Sequence, residues 1–310
     1  MRNRKDHLCT LLTFALFIGA ASCNQAAAIP TATIAPIATT TPPPTETPAP
    51  TLQPGDSEHK LTVNGLERTY VLHIPPGLDH LHLAPVVLAF HGLGENPATM
   101  ELMTGFSDIA DQANFLLVYP EGVGNSWNAG GTCCGYANTH EVDEKPFIQQ
   151  ILSDLVTIAS IDTKRIYATG FSNGAVLVYR LACEMSDTFA AIAPVAGILA
   201  YNPCQQQEPV SLIHVHGLND TFFPYLGGGE WDTPPVEQVI TAWVQSDNCT
   251  GSAQVEKQKN IITHTIYTSC QTDTAVELYT IELGGHAWSS KYVWPASQVI
   301  WDFFAAHPKP

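Results

Sequence analysis

Five residues near the middle of this 310-residue chain have the types and spacing to do nucleophilic chemistry: Gly170-Phe171-Ser172-Asn173-Gly174. They follow an apolar strand-like run, Ile166-Tyr167-Ala168, and open a stretch with helical periodicity. A serine on such a sharp strand-to-helix turn holds its hydroxyl outward. Side chains two positions away would clash, so glycines belong at both flanks. The N-terminus of the following helix favours negative charge developing beside the hydroxyl. A plain glycine-rich turn is the rival reading, and the strand–turn–helix context argues against it.

A serine hydroxyl is a poor nucleophile until a base takes its proton. With this kind of turn the partners follow in the order Ser, acid, His. His264, His286 and His307 lie far enough along. His307 is in the C-terminal tail, and His264 sits in an alternating strand-like stretch. His286 follows a strand predicted over 276–283 and comes directly after Gly284-Gly285, a loop from which a base can project. The acid should follow the preceding buried strand. The apolar run 210–215 leads into His216-Gly217-Leu218-Asn219-Asp220, which selects Asp220 over Asp187, Asp232, Asp247 and Asp273. Asp220 would hold the imidazole in one tautomer and stabilise its cation.

The oxyanion of acyl transfer needs preorganised donors, each commonly worth on the order of 3 kcal/mol. One is expected from the backbone N–H of Asn173 and the other from the loop His91-Gly92-Leu93-Gly94, with Leu93 preferred and Gly92 second. His91 is a candidate substrate-binding residue, expected to order that loop rather than to take part in chemistry. His214 and His216, two apart on one strand, share a face. With no third ligand in view they read as core hydrogen-bonding groups rather than a metal site, and no metal is expected.

The elements that must hold these groups are legible from hydropathy. Near-continuous apolar runs at 85–90, 115–119, 165–168, 190–195 and 210–215 suit strands buried on both faces of a parallel sheet. Segments 61–63 and 69–74 read as two strands joined by the turn Asn64-Gly65. Apolar residues Phe147, Ile148, Ile151, Leu152, Leu155 and Ile158 repeat at helical spacing within 143–160. Further helices are predicted over 173–185, 236–246 and 295–306. Strand–helix alternation implies an α/β class with a mostly parallel central sheet and helices on both faces. There is no internal repeat.

The N-terminal segment has a different character. A basic start (Arg2, Arg4, Lys5), a short apolar run and Ala20-Ala21-Ser22 before Cys23 read as a secretory signal over 1–23, with an uncleaved anchor helix as the alternative. Cys23 is a candidate for lipidation. Residues 24–56, rich in Thr, Pro and Ala, read as a disordered, semi-rigid tether. The catalytic body is then 57–310, and the chain is expected to be secreted or held at the cell surface by that lipid. Of 13 basic and 29 acidic residues, 10 and 28 remain once Arg2, Arg4, Lys5 and Asp6 are set aside. That balance excludes a nucleic-acid partner, since no basic patch could neutralise phosphates, and it disfavours contact with anionic lipid other than through the N-terminal anchor. Six cysteines lie beyond Cys23, and an even number in an exported chain reads as disulfides. Cys183–Cys204 and Cys249–Cys270 are the expected local pairs. Cys133 and Cys134 either pair with each other or stay free.

Taken in order, His91-Gly92-Leu93-Gly94, Trp127-Asn128-Ala129-Gly130 with Cys133-Cys134-Gly135, the turn at Ser172, His216-Gly217-x-x-Asp220 and Gly284-Gly285-His286-Ala287-Trp288 resemble a known group. It is the secreted polyhydroxybutyrate depolymerase and feruloyl esterase group of α/β-hydrolases, which includes acetylxylan esterases. The resemblance covers roughly 57–305. It implies the α/β-hydrolase fold and ester hydrolysis without a cofactor, with Ser172, Asp220 and His286 as the triad. It also implies that Trp127 and Trp288 lie near the acyl or sugar site, with core packing as the alternative. The group often has Cys where Leu93 stands, and Thr-Trp-Pro where this chain has Ala287-Trp288-Ser289. These departures bear on the substrate and not on the nucleophile. The expected substrate is a feruloyl or acetyl ester on plant polysaccharide. A hydroxyalkanoate oligomer is the second enzymatic reading. A non-catalytic, surface-anchored binding lipoprotein is the alternative of another class.

Overall fold

The computed structural model describes residues 52–131, 133–289 and 294–310. The segment expected to be a signal, the lipidation candidate Cys23 and the tether as far as residue 51 lie outside the described residues. The body opens with a hairpin of β1 (Gly55–Val63) and β2 (Leu66–Ile74). Its turn, Asn64-Gly65, has both residues at positive φ, as a two-residue hairpin loop of this type requires. Pairing with Ile74 and His73 draws Gly55 and Asp56 into the sheet.

Five strands follow: β3 (Ala84–Phe90), β4 (Leu116–Pro120), β5 (Ile161–Phe171), β6 (Ala191–Val195) and β7 (Ser211–Gly217). A polar hairpin of β8 (Gln254–Gln258) and β9 (Ile262–Tyr267) precedes β10 (Val276–Ile281). All ten form one sheet in the order β1-β2-β4-β3-β5-β6-β7-β10-β9-β8. The six strands from β4 to β10 in that order are parallel, and antiparallel hairpins close both edges. Every residue of β3, β4, β6 and β7 is buried, which explains their unbroken apolar runs.

Alternate residues of one strand feed two cores. Val86, Leu88 and Phe90 of β3 point to one, Val87 and Ala89 to the other. The first core is completed by α4 (Lys145–Ile158), α5 (Asn173–Glu184) and α6 (Val236–Ser246), the second by α1 (Pro97–Thr104), α2 (Phe106–Ala113) and α7 (Ala296–Ala306). A single turn, α3 (Tyr136–Thr139), lies in the loop before α4. The predicted mostly parallel sheet with helices on both faces is thus the observed architecture.

Cys183–Cys204, Cys249–Cys270 and Cys133–Cys134 are disulfides, which settles the last pair in favour of mutual bonding. Each of the first two joins residues 21 apart. Closing a loop of that size stabilises by roughly 3 kcal/mol in the chain-entropy picture. No helix among the described residues is long and apolar enough to cross a membrane.

One buried charge runs against the fold. Asp247 is fully buried at the C-terminal cap of α6, where the helix dipole also disfavours an anion. Burial raises its pKa to about 7, against a smaller opposing pull from the Thr274 hydroxyl and the Val210 amide. Neither oxygen achieves hydrogen-bond geometry with a partner. The carboxyl therefore binds its proton more tightly folded than unfolded, and stability should fall as pH rises from about 4 to 7 and level off above that. We expect Asp247→Asn to gain on the wild type across this window by a few kcal/mol, since three pKa units correspond to roughly 4 kcal/mol. Urea unfolding at pH 4.5 and pH 8 checks this. A stability difference that does not change between the two pH values would refute it.

Candidate active site

Four parallel strands deliver the site at their C-terminal ends, where ligands bind in sheets of this kind. β5 runs into Ser172, which sits at φ 55°, ψ −120°, between the strand and α5. Positive φ strains a residue with a side chain, and the surroundings must impose it. They do so at close quarters. The Ser172 amide donates to the Val195 carbonyl at the end of β6. A Cβ on Gly174 would overlap the carbonyl oxygens of Phe90 and His91, and one on Gly170 would lie 2.6 Å from the Gly174 carbonyl. Helix α5 thus starts directly against the exit of β3, and only glycine at 174 permits it.

The three residues selected from the sequence come together. His286 Nε2 lies 2.8 Å from Ser172 Oγ, and His286 Nδ1 lies 2.8 Å from Asp220 Oδ2. Asp220, in the loop after β7, uses its other oxygen to accept the amides of Phe222 and Phe223 at 2.9 Å each. The carboxylate therefore both closes a local Asx turn and holds the imidazole. Burial by itself would raise the Asp220 pKa. The His286 hydrogen bond, the Phe223 amide and the nearby imidazoles outweigh it and hold the carboxyl below its ordinary value. The His286 ring is flanked by Phe222, Phe171 and Phe223 at centroid distances of 4.8, 5.0 and 5.9 Å. His264 is elsewhere, stacked on Tyr279 and bonded to Glu277, and His307 bonds the end of α7.

The loop after β3 lies beside Ser172. The Gly92 amide is already taken by the Glu95 carboxylate at 2.9 Å. The Leu93 amide has no acceptor among the described residues, so it is the donor the loop has free. The Asn173 amide opens α5, where helical N–H groups have no intrahelical partner.

His91 and Trp127 are buried completely and bond to each other's segment. His91 Nε2 accepts the Gly122 amide, which places the ring proton on Nδ1, facing the Gly92 carbonyl. Trp127 donates its indole N–H to the His91 carbonyl. Trp288 is 7% exposed and packs edge-on to Phe106, with its N–H on Ser297 Oγ. All three side chains are buried, which favours core packing for the indoles and a loop-ordering role for His91. Two contributions were not anticipated. The Asn173 side chain clamps Trp127, accepting its amide at 2.7 Å and donating to its carbonyl. A fully buried Arg68–Glu144 pair holds the Asn128 amide. Only the Asn in the turn and the glutamate in a polar loop hint at these roles in the sequence.

A serine hydroxyl bonded to an imidazole that is itself bonded to a carboxylate can transfer an acyl group. A family model described as Esterase PHB depolymerase matches residues 68–208, a span that includes Leu93 and Ser172 and stops before Asp220. A Nocardia uniformis subsp. tsuyamanensis protein named for an esterase, NocK, is 29% identical over 74% of this chain and 73% of its own length. A bifunctional acetylxylan esterase/xylanase of Neocallimastix patriciarum is also 29% identical, over 71% of this chain. The chain spans only 31% of that protein. Among solved structures, an acetyl xylan esterase from Aspergillus awamori superposes with a TM-score of 0.56 at 14% identity, covering 80% of this chain and 99% of that one.

The chain is similar to the polyhydroxybutyrate depolymerase and feruloyl esterase group of α/β-hydrolases.

As in the sequence reading, the group's motifs fall on the strand ends. The crowding at the turn predicts a sharp response. Gly174→Ala should lower stability by roughly 2 kcal/mol, as overpacking against backbone does, and lower the melting temperature by about 5 °C. A melting temperature within about 1 °C of the wild type would show that α5 does not depend on this contact.

Proposed function

We propose that the chain hydrolyses carboxylic esters by two-step acyl transfer through Ser172, without a cofactor. The observation that carries this reading is the continuous hydrogen-bonded path from Ser172 Oγ through His286 to Asp220, with both links at 2.8 Å. His286 Nε2 takes the serine proton as Oγ attacks the ester carbonyl. The amides of Leu93 and Asn173 receive the oxyanion. His286 then gives the proton to the departing alcohol, and water, deprotonated by the same imidazole, releases the acid and restores Ser172. Asp220 stabilises the transient imidazolium and remains ionised throughout.

For the substrate we propose an acetyl or feruloyl ester carried on plant polysaccharide. The acetylxylan esterase among the relatives and the motif order support this. A hydroxyalkanoate oligomer is the second reading, favoured by the description of the matching family model. Three disulfides fit folding in an oxidising compartment, in keeping with export, with or without a lipid at Cys23. A purely binding role leaves the assembled Ser172–His286–Asp220 chain without a purpose.

Ser172→Ala should lower kcat on p-nitrophenyl acetate by at least about 10³-fold with an unchanged circular dichroism spectrum, and should abolish covalent labelling by a fluorophosphonate. Full activity in that variant would end the proposal. Parallel kinetics on an acetylated xylo-oligomer, methyl ferulate and a hydroxybutyrate trimer would then rank the substrates. A preference for the trimer would overturn the polysaccharide assignment.

A further inference from the structure

Behind Asp220, β7 carries two imidazoles on one face, His214 and His216, both buried. His214 Nδ1 lies 2.7 Å from the Tyr179 hydroxyl of α5, His214 Nε2 lies 3.0 Å from His216 Nδ1, and His216 Nε2 lies 2.8 Å from the Phe223 carbonyl oxygen. A carbonyl can only accept. His216 must therefore carry its proton on Nε2, which leaves its Nδ1 as an acceptor. His214 must then donate from Nε2, and its own Nδ1 accepts from the Tyr179 hydroxyl. Running the chain the other way would press a nitrogen lone pair against a carbonyl oxygen in a buried site. Burial pushes both imidazoles down and the Tyr179 phenol up, so all three groups are neutral.

The far end of this chain is the loop that bears Asp220. Phe223, whose carbonyl takes the last N–H, gives its amide to Asp220 Oδ1. His216 Nε2 is also 3.5 Å from Asp220 Oδ2, the oxygen bonded to His286. We propose that His214 and His216 are positioning residues: with Tyr179 they form a one-way hydrogen-bond chain that locks the His216 tautomer, pins the Phe223 carbonyl and presents an N–H to the carboxylate that orients His286. The reversed tautomer would set a lone pair beside that carboxylate and drive the Asp220 loop away from the base. The inference rests on the roles proposed above for Ser172, Asp220 and His286.

Nitrogen-15 NMR of the imidazoles in the full chain tests the lock directly. His214 and His216 should both be neutral and protonated on Nε2 at pH 7. Either ring in the Nδ1–H form, or doubly protonated, overturns the proposal. Kinetics on p-nitrophenyl acetate test its consequence. His216→Leu should lower kcat about tenfold, as expected for a lost buried hydrogen bond, with KM within about twofold. His216→Gln, whose amide can reach the same carbonyl, should recover most of the loss. A folded His216→Leu with wild-type kcat, or a Gln variant no better than Leu, overturns it. Tyr179→Phe removes one oxygen and little packing, and serves if His216→Leu does not fold. It should disturb the His214 signal and lower kcat, and no change in either overturns the proposal. Fluorophosphonate labelling of the wild type separates the two levels. An unlabelled wild type removes the catalytic reading and with it this one. A labelled wild type with unaffected variants removes the positioning chain alone.

Discussion

The site depends on one steric constraint, the absence of a side chain at residue 174. Helix α5 begins so close to the end of β3 that the carbonyls of Phe90 and His91 occupy the space where a Cβ would stand. That approach goes with the turn at Ser172, whose φ is 55°, and starts α5 at Asn173 directly against the exit of β3. Moving the helix outward by the width of a methyl group would carry the hydroxyl and the Asn173 amide away from the loop after β3.

A strained turn persists only if its neighbours over-determine it, and here they do so through buried polar groups that are almost all satisfied. The Asn173 side chain grips both polar groups of the Trp127 backbone, the Trp127 indole holds the His91 carbonyl, and the His91 imidazole holds the Gly122 amide. This closed circuit ties the loops after β3, β4 and β5 into one unit. An apolar filling of the same volume would pack as well but would leave the loop carbonyls and amides free to rotate. Buried hydrogen bonds fix direction as well as distance, and the role proposed for the Leu93 and Asn173 amides needs both.

The parts of the fold legible in the sequence are those where one physical signal dominates. The buried strands announced themselves because both faces are apolar, and α6 matched its predicted span, 236–246, because its buried face is regular. Two-turn helices α1 and α2 are too short to show a period, and each is defined by its ends instead. Asn96 caps α1, and Gly105 at φ 60° separates the pair. β8 is an edge strand with both faces largely in water, so its sequence, Gln254–Gln258, has no alternation to read. In the site, Ser172, Asp220 and His286 were legible because glycines and strand ends constrain where such groups can stand. For Trp127 and Trp288 the sequence left two readings open, because an indole near a reactive motif looks the same whether it faces a ligand or braces the loop behind it. Only burial separates the two.

The family match covers the turn at Ser172 with Leu93 and Asn173, and stops at residue 208, ahead of Asp220 and His286. Around Ser172 the backbone is tightly constrained, because Gly170 and Gly174 leave no room for a Cβ. Asp220 and His286 need only bring one carboxyl oxygen and one imidazole to the right places, and loops of many sequences can do that if something anchors them. In this chain the anchors are specific. The Asp220 loop is held by its own turn amides and, from below, by the Phe223 carbonyl on His216. The His286 loop is held at one end by the Asn219 amide on the Gly284 carbonyl and at the other by the Trp288 indole on Ser297. The loops of His286 and Asp220 are thus cross-linked to each other, so the 2.8 Å contact between the two side chains is a property of the fold itself.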